Sequence, residues 1–195
     1  IFNPKNGAST GRALFFPSGT GRVGIGTDTP NNTIQVANLI NFDDSSTSTG
    51  LGYQTLSGTN NGGENTAVGY QAFSVGTING FSNTAVGFQA LKANSDGNRN
   101  LAFGAIALDA NTSGNDNSAI GYNTLGVNTA GSGNTAIGSS ALAVNTGGSN
   151  TGIGFNAGYV NSGQYSNQTG TNNTYLGYNS GPWRQNATFS NSTAI

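Results

Sequence analysis

The sequence predicts an all-β chain, a parallel β-solenoid or β-roll built from coils about 17 residues long. Three observations carry that prediction. A glycine recurs at Gly52, Gly69, Gly87, Gly104, Gly121, Gly138, Gly154 and Gly177, at intervals of 17, 18, 17, 17, 17, 16 and 23 residues. The residues before it repeat as one motif, as in Asn65-Thr66-Ala67-Val68-Gly69, Asn83-Thr84-Ala85-Val86-Gly87, Asn117-Ser118-Ala119-Ile120-Gly121 and Asn134-Thr135-Ala136-Ile137-Gly138. Finally, the apolar residues keep fixed phases against the glycine. That phasing separates the chain from the disorder that 32 glycines and abundant Asn, Ser and Thr would otherwise suggest.

Residues 1–46 lack the repeat and read as an N-terminal β connector module. Ala13-Leu14-Phe15-Phe16 and Thr33-Ile34-Gln35-Val36 have the composition of strands. Val23-Gly24-Ile25-Gly26 between them reads as a strand and turn. Its glycines imitate a dinucleotide loop, but Pro30 and Asn31-Asn32 stand where the helix of such a loop would begin.

Residues 47–154 form the regular β-roll repeats. Counting from each motif glycine, position −1 is always apolar: Leu51, Val68, Val86, Phe103, Ile120, Ile137, Ile153 and Leu176. Position −2 is small in all coils but the one holding Tyr175, and position −3 is Thr or Ser except at Leu101. The period of two makes the motif a short β-strand. Small residues at −2 suggest close approach of another backbone, and the aliphatic column at −1 is expected to form the core ladder: Val68, Val86, Phe103, Ile120, Ile137, Ile153 and Leu176. An aromatic usually follows the glycine, and a Leu or Phe stands four residues beyond it. Strict alternation would put that Leu on the face opposite the −1 residue, so a bend at the glycine is expected to bring both into one narrow core. Two Asn series recur, one four residues before the glycine and one seven after it. Each could be a hydrogen-bonded ladder or simply a turn residue. Two short strands and three or four inward side chains are expected per coil.

Residues 155–195 are irregular, with longer loops and with Gly158 and Gly181 in place of the apolar Leu. Tyr159, Tyr165, Trp183 and Arg184 are the richest recognition chemistry in the chain and the candidates for receptor contact. The competing reading is an insertion loop that packs its own aromatics. The chain begins without Met and stops where the motif glycine would come next, so a longer polypeptide is expected on both sides.

Charged residues make up 7% of the chain and the net charge is −1, which argues against a nucleic-acid surface. With no Cys, Met or His, the chain has no disulfide, no thiolate or imidazole metal ligand and no histidine base. No apolar run is long enough to insert in a membrane. The carboxylates do not recur in phase, so no enzymatic activity and no cofactor are expected. Ca²⁺ is the one ion with any footing, through Asp96 and Asp116 in Gly/Asn turns.

The Asn-Thr-Ala-Val/Ile-Gly unit resembles the Ser-Val-Ala-Ile-Gly unit of trimeric autotransporter adhesin heads, which are left-handed parallel β-rolls assembled as trimers. Ala119 and Ile120 match that motif, whereas the period here is longer and Thr stands where that family has Val. The Val23-Gly24-Ile25-Gly26-Thr27 segment, ending at Pro30, is similar to a module of phage tail-fibre proteins, where it accompanies Asn-Thr-Ala-Ile-Gly-Tyr repeats. The resemblances imply an extracellular homotrimeric fibre, a virion tail fibre ahead of a bacterial surface adhesin, contacting surface glycans through exposed Tyr, Asn and Thr. An ice- or crystal-binding solenoid is the alternative of another class. It needs an exposed Thr rank, and by analogy with the adhesin roll the Thr at −3 is expected to face inward.

Overall fold

The computed structural model describes residues 23–25, 34–36, 40–43, 47–159, 169–181 and 190–195. These form an all-β solenoid of about seven turns with a spacing of about 17 residues and no helix among them. One strand of the main sheet comes from each recurrence of the motif: β4 (Ser48–Leu51), β6 (Thr66–Val68), β8 (Thr84–Val86), β9 (Leu101–Phe103), β10 (Ser118–Ile120), β11 (Thr135–Ile137), β12 (Thr151–Ile153), β13 (Thr174–Leu176) and β14 (Thr193–Ala194). They pair in parallel, motif on motif, so that Ala119 sits between Ala102 and Ala136. On the N-terminal side the same sheet continues through β1 (Val23–Ile25), β2 (Ile34–Val36) and β3 (Ile40–Asp43). β3 runs antiparallel to β4 and matches Ile40 with Leu51. The expected strands at 23–25 and 34–36 are present, while Ala13–Phe16 lies outside the described residues.

A second strand per coil does not persist. β5 (Thr59–Asn60) and β7 (Thr77–Ile78) pair with each other alone. In later coils that wall is held by N–H groups that converge on one carbonyl of the next turn, as Ser95 (3.1 Å) and Asp96 (2.9 Å) do on Thr112 O and Thr112 (2.8 Å) and Ser113 (3.2 Å) on Thr129 O.

The winding depends on left-handed backbone at fixed phases. Positions −5, +2 and +4 have positive φ in coil after coil, for example Asp116 (59°), Asn123 (52°) and Leu125 (53°). Glycine at position 0 holds φ between 113° and 145°. A Cβ there would also strike the next coil: at Gly52 and Gly69 it would stand 2.5 Å from the following motif glycine's carbonyl oxygen. Two independent constraints therefore fix the glycine, a backbone region closed to L side chains and direct contact with the adjacent coil. At +4 the left-handed geometry costs about 1–2 kcal/mol. Burying a large apolar side chain recovers about 1.5–3 kcal/mol. β-branched residues tolerate this region worst, and among the +2 and +4 positions only Ile106 (50°) carries one.

The core is a thin column of stacked layers. In the coil around Gly104 the buried side chains are Asn100, Ala102, Ala107, Leu108 and Asn111. Leu91, Leu108, Leu125 and Leu142 are fully buried, flanked by the alanines at −2 and by Ala90, Ala107, Thr124 and Ala141 at +3. Both Asn series are ladders. Asn117 donates through Nδ2 to Asn100 Oδ1 (3.1 Å) and to Gly131 O (2.9 Å), and its backbone N–H also reaches Asn100 Oδ1 (3.0 Å). The second series links Asn111 Nδ2 to Asn94 Oδ1 (2.6 Å) and Asn128 Nδ2 to Asn111 Oδ1 (3.2 Å).

Tyr175 explains the two missing leucines. It replaces Ala at −2 in its strand and is buried in the core. Gly158 and Gly181 occupy the +4 positions on either side. A Cβ at Gly158 would lie 2.7 Å from the Tyr175 ring, and one at Gly181 would lie 3.5 Å from it. One large side chain from the sheet wall thus fills the space of two from the opposite wall. Burial pushes the Tyr175 phenol above its ordinary pKa.

Candidate functional site

What the solenoid offers to a partner is a set of columns on its outer surface. The strand alternation is strict: Ala119 is fully buried, while Ser118 and Ile120 point outward. This corrects the expected core ladder. Val68 and Val86 are half-buried, and Phe103, Ile120, Ile137, Ile153 and Leu176 are exposed, Phe103 by 54%. Their environments are equivalent and continuous, since Val68 pairs with Val86, Val86 with Phe103 and Phe103 with Ile120. The column exists, on the outside of the sheet. The expected bend is present, a turn that starts at each motif glycine, but it brings Ala107 and Leu108 inward against Ala102 and leaves Phe103 outside. The coil interior is narrow enough that alanine fills the strand's inner face. The Thr and Ser column at −3 shares the outer face, with Thr84, Ser118, Thr135 and Thr151 half-buried and Thr66 and Thr174 exposed. It does not face inward as the adhesin analogy implied.

On the other side of the glycine, in the turn that follows each strand, runs an aromatic column at +1. Tyr53, Tyr70 and Phe88 stack with ring centroids 5.5 Å apart. Phe155 and Tyr178 stack at 5.4 Å. Ala105 and Ser139 interrupt the series and leave Tyr122 alone between them. The backbone stays in register through the interruptions: Ile106 N–H bonds Phe88 O (2.8 Å), Asn123 N–H bonds Ala105 O (3.1 Å), Ser140 N–H bonds Tyr122 O (2.8 Å) and Asn156 N–H bonds Ser139 O (3.0 Å). Beside the first stack, Gln71 Nε2 donates to Gln54 Oε1 (2.7 Å) and Gln89 Nε2 to Gln71 Oε1 (2.9 Å).

Of the four residues expected to contact a receptor, Tyr159 is half-buried and its backbone N–H closes a turn on Asn156 O (3.0 Å). Tyr165, Trp183 and Arg184 lie outside the described residues. The structure describes only Tyr159 of the four. The surface it does assemble, the aromatic column, was visible in the sequence as a recurrent Tyr or Phe, but which way those rings faced was not.

The carboxylates considered for Ca²⁺ have other partners. Asp116 takes a two-pronged bond from Arg99, with Nε to Oδ1 at 2.6 Å and a terminal nitrogen to Oδ2 at 2.9 Å. That pairing holds its carboxyl below the ordinary range. Asp96 accepts from Ser95 Oγ (2.6 Å) and Asn79 Nδ2 (2.8 Å), which lowers its pKa as well. Asp109 moves the other way, raised by burial. Among the described residues no three carboxylates gather in one place, and no helix is long and apolar enough to cross a membrane. No family model, curated protein or solved structure matches the chain.

Proposed function

We propose that this chain is a structural and adhesive segment of an extracellular homotrimeric fibre, a phage tail fibre in the first instance, whose side surface contacts cell-surface glycans. The observation that carries the reading is the outward aliphatic column. Leu51, Phe103, Ile120, Ile137, Ile153 and Leu176 form an apolar stripe along a parallel sheet, exposed in the single chain. A long contiguous apolar stripe on a rigid support favours association. A repeat that presents the same side chain every coil suits packing against copies of itself about a common axis. The glycan part rests on a surface of amides, hydroxyls and aromatic rings with 7% charged residues.

Sedimentation equilibrium tests the assembly, with a trimer mass expected. Ile120→Glu with Ile137→Glu is expected to yield monomers that keep the β-sheet circular dichroism. A parent chain that is monomeric at micromolar concentration overturns the fibre reading. Adhesion is tested with fluorescently labelled chain on a panel of bacterial cells, before and after periodate oxidation of surface sugars. Saturable, periodate-sensitive binding is expected, and absence of binding across the panel removes the adhesive role.

One observation favours the ice-binding alternative: the Thr column at −3 faces outward. Leu101 and Ser118 interrupt that column, and an aliphatic column lies beside it instead of a second Thr rank. Thermal hysteresis of the soluble chain separates the two readings, and none is expected.

A further inference from the structure

We propose that the two vacant rungs of the aromatic column, at Ala105 and Ser139, are slots that each take one uncharged pyranose ring of a glycan, a deepening that rests on the glycan reading above. The register bonds through Ile106, Asn123, Ser140 and Asn156 show that both positions belong to the column. Where neighbouring rungs are filled, the rings close on each other at 5.4–5.5 Å. Where the rung is Ala or Ser, the flanking rings stand two coil steps apart, roughly 10 Å at about 4.8 Å per step. A flat ring in contact with both walls at about 3.5–4.0 Å takes up roughly 7–8 Å of that span. The remainder suits a puckered saturated ring better than a planar one.

Tyr122 shows the vacancy directly. It is 57% exposed against 46% for Tyr70, which has a ring on each side. Tyr122 makes no ring stack, so no aromatic ring covers either of its faces, one turned to each slot. The first slot has Phe88 and Tyr122 as walls and the Ala105 methyl as floor. The second has Tyr122 and Phe155 as walls and the Ser139 hydroxyl as floor. Positions 0 to +2 of these coils carry no charge. Asn123, Ser140 and Asn156 lie next along the chain with amide and hydroxyl groups that both donate and accept, beside the apolar Ile106 of the first slot, and Asn156 Nδ2 already donates to Asn179 Oδ1 (3.1 Å). Apolar walls with a neutral, two-way hydrogen-bonding rim match a sugar ring, which has C–H faces and a hydroxyl edge. A charged ligand would find no counterion there.

Saturation-transfer NMR on the full chain, with maltohexaose, cellohexaose and β-1,4-galactotetraose as probes, tests the slots. Transfer to at least one of these sugars is expected. Filling the rungs together, Ala105→Tyr with Ser139→Tyr, completes the ring column. It is expected to preserve or raise the melting temperature while weakening sugar binding by at least about tenfold, that is about 1.4 kcal/mol. No transfer to any of the three sugars at millimolar concentration overturns the proposal, as does binding unchanged by the filled rungs. So does protection of the Tyr122 ring by a second copy, read as Tyr122 resonances that shift with chain concentration. Cell adhesion that survives filling removes the slots and leaves the glycan reading standing. A parent chain that does not adhere removes that reading itself.

Discussion

The motif glycine combines two penalties that single substitutions can separate. At Gly104 an added Cβ meets both a forbidden φ of 145° and the Gly121 backbone, whose carbonyl carbon would be 2.6 Å away. At Gly177 φ is 113°, but the nearest atom is 4.0 Å away, so strain acts alone. At Gly76 nothing lies within 4 Å and the backbone is ordinary. Urea denaturation of the three Gly→Ala variants should therefore rank them. Gly76→Ala should fall within about 0.5 kcal/mol of the parent. Gly177→Ala should lose about 1–3 kcal/mol from backbone strain. Gly104→Ala should lose more than either. Equal losses at Gly104 and Gly177 would show that the inter-coil contact contributes nothing. The need for glycine at these positions was legible in the sequence from its strict recurrence. The left-handed Leu108 and Leu125 were not, because Leu carries no signal of positive φ. Nor was the direction of Val68 and its column, since an aliphatic residue in a strand usually marks the buried face and here the buried face belongs to alanine.

At the scale of one coil, the Asn ladders set the repeat length. In the 17-residue coils six steps separate the two ladder residues, as from Asn111 to Asn117 or Asn128 to Asn134. The 16-residue coil has five, from Asn145 to Asn150. Asn145 accordingly turns away from its own ladder: its Nδ2 donates to Asn134 Oδ1 (3.3 Å) and to Gly147 O (2.9 Å). Asn128 Oδ1 is left buried without a partner. An orphaned buried acceptor costs about 1–3 kcal/mol. Inserting one Ala after Thr146 restores the pattern of the preceding coil, Asn128-Thr129-Ala130-Gly131. The insertion should return Asn145 to Asn128 and raise stability by about 1 kcal/mol, read as a higher urea midpoint at unchanged slope. An unchanged or lowered midpoint would show that the ladder does not govern coil length. The sequence displayed both Asn series but could not decide between ladder and turn. Spacing gives the phase of a side chain, whereas the ladder depends on the amide reaching across one coil step. Tyr175 was likewise visible only as an exception, because the glycines that make room for it, Gly158 in the preceding coil and Gly181 in its own, stand on the opposite wall.

Over the whole molecule, parallel pairing links each coil to its neighbours and to nothing farther away, so stability should add along the axis. The aliphatic stripe, the aromatic column and the core column all run that way, and each loses partners at its ends: Tyr178 and Ile195, on the last turns, are far more exposed than their counterparts within. Coils around Ala102, Ala119 and Ala136, with both neighbours present and fully buried inner faces, should form the most protected block. Hydrogen–deuterium exchange should therefore show amide protection that peaks across residues 100–137 and falls toward both ends. A break in the middle should act differently from a break at an end. Gly104→Ala disrupts the contact between the coils of Gly104 and Gly121, so the chain should unfold in two steps, with residues 47–103 exchanging as one block and 118–159 as another. Gly177→Ala, at the last complete turn, should leave one transition and shorten the protected block at its C-terminal side. Uniform protection from residue 47 to 159, with a single all-or-none transition in both variants, would mean that the rod behaves as one globular unit. Its side surface could not then be treated as a stack of equivalent, independently substitutable rungs.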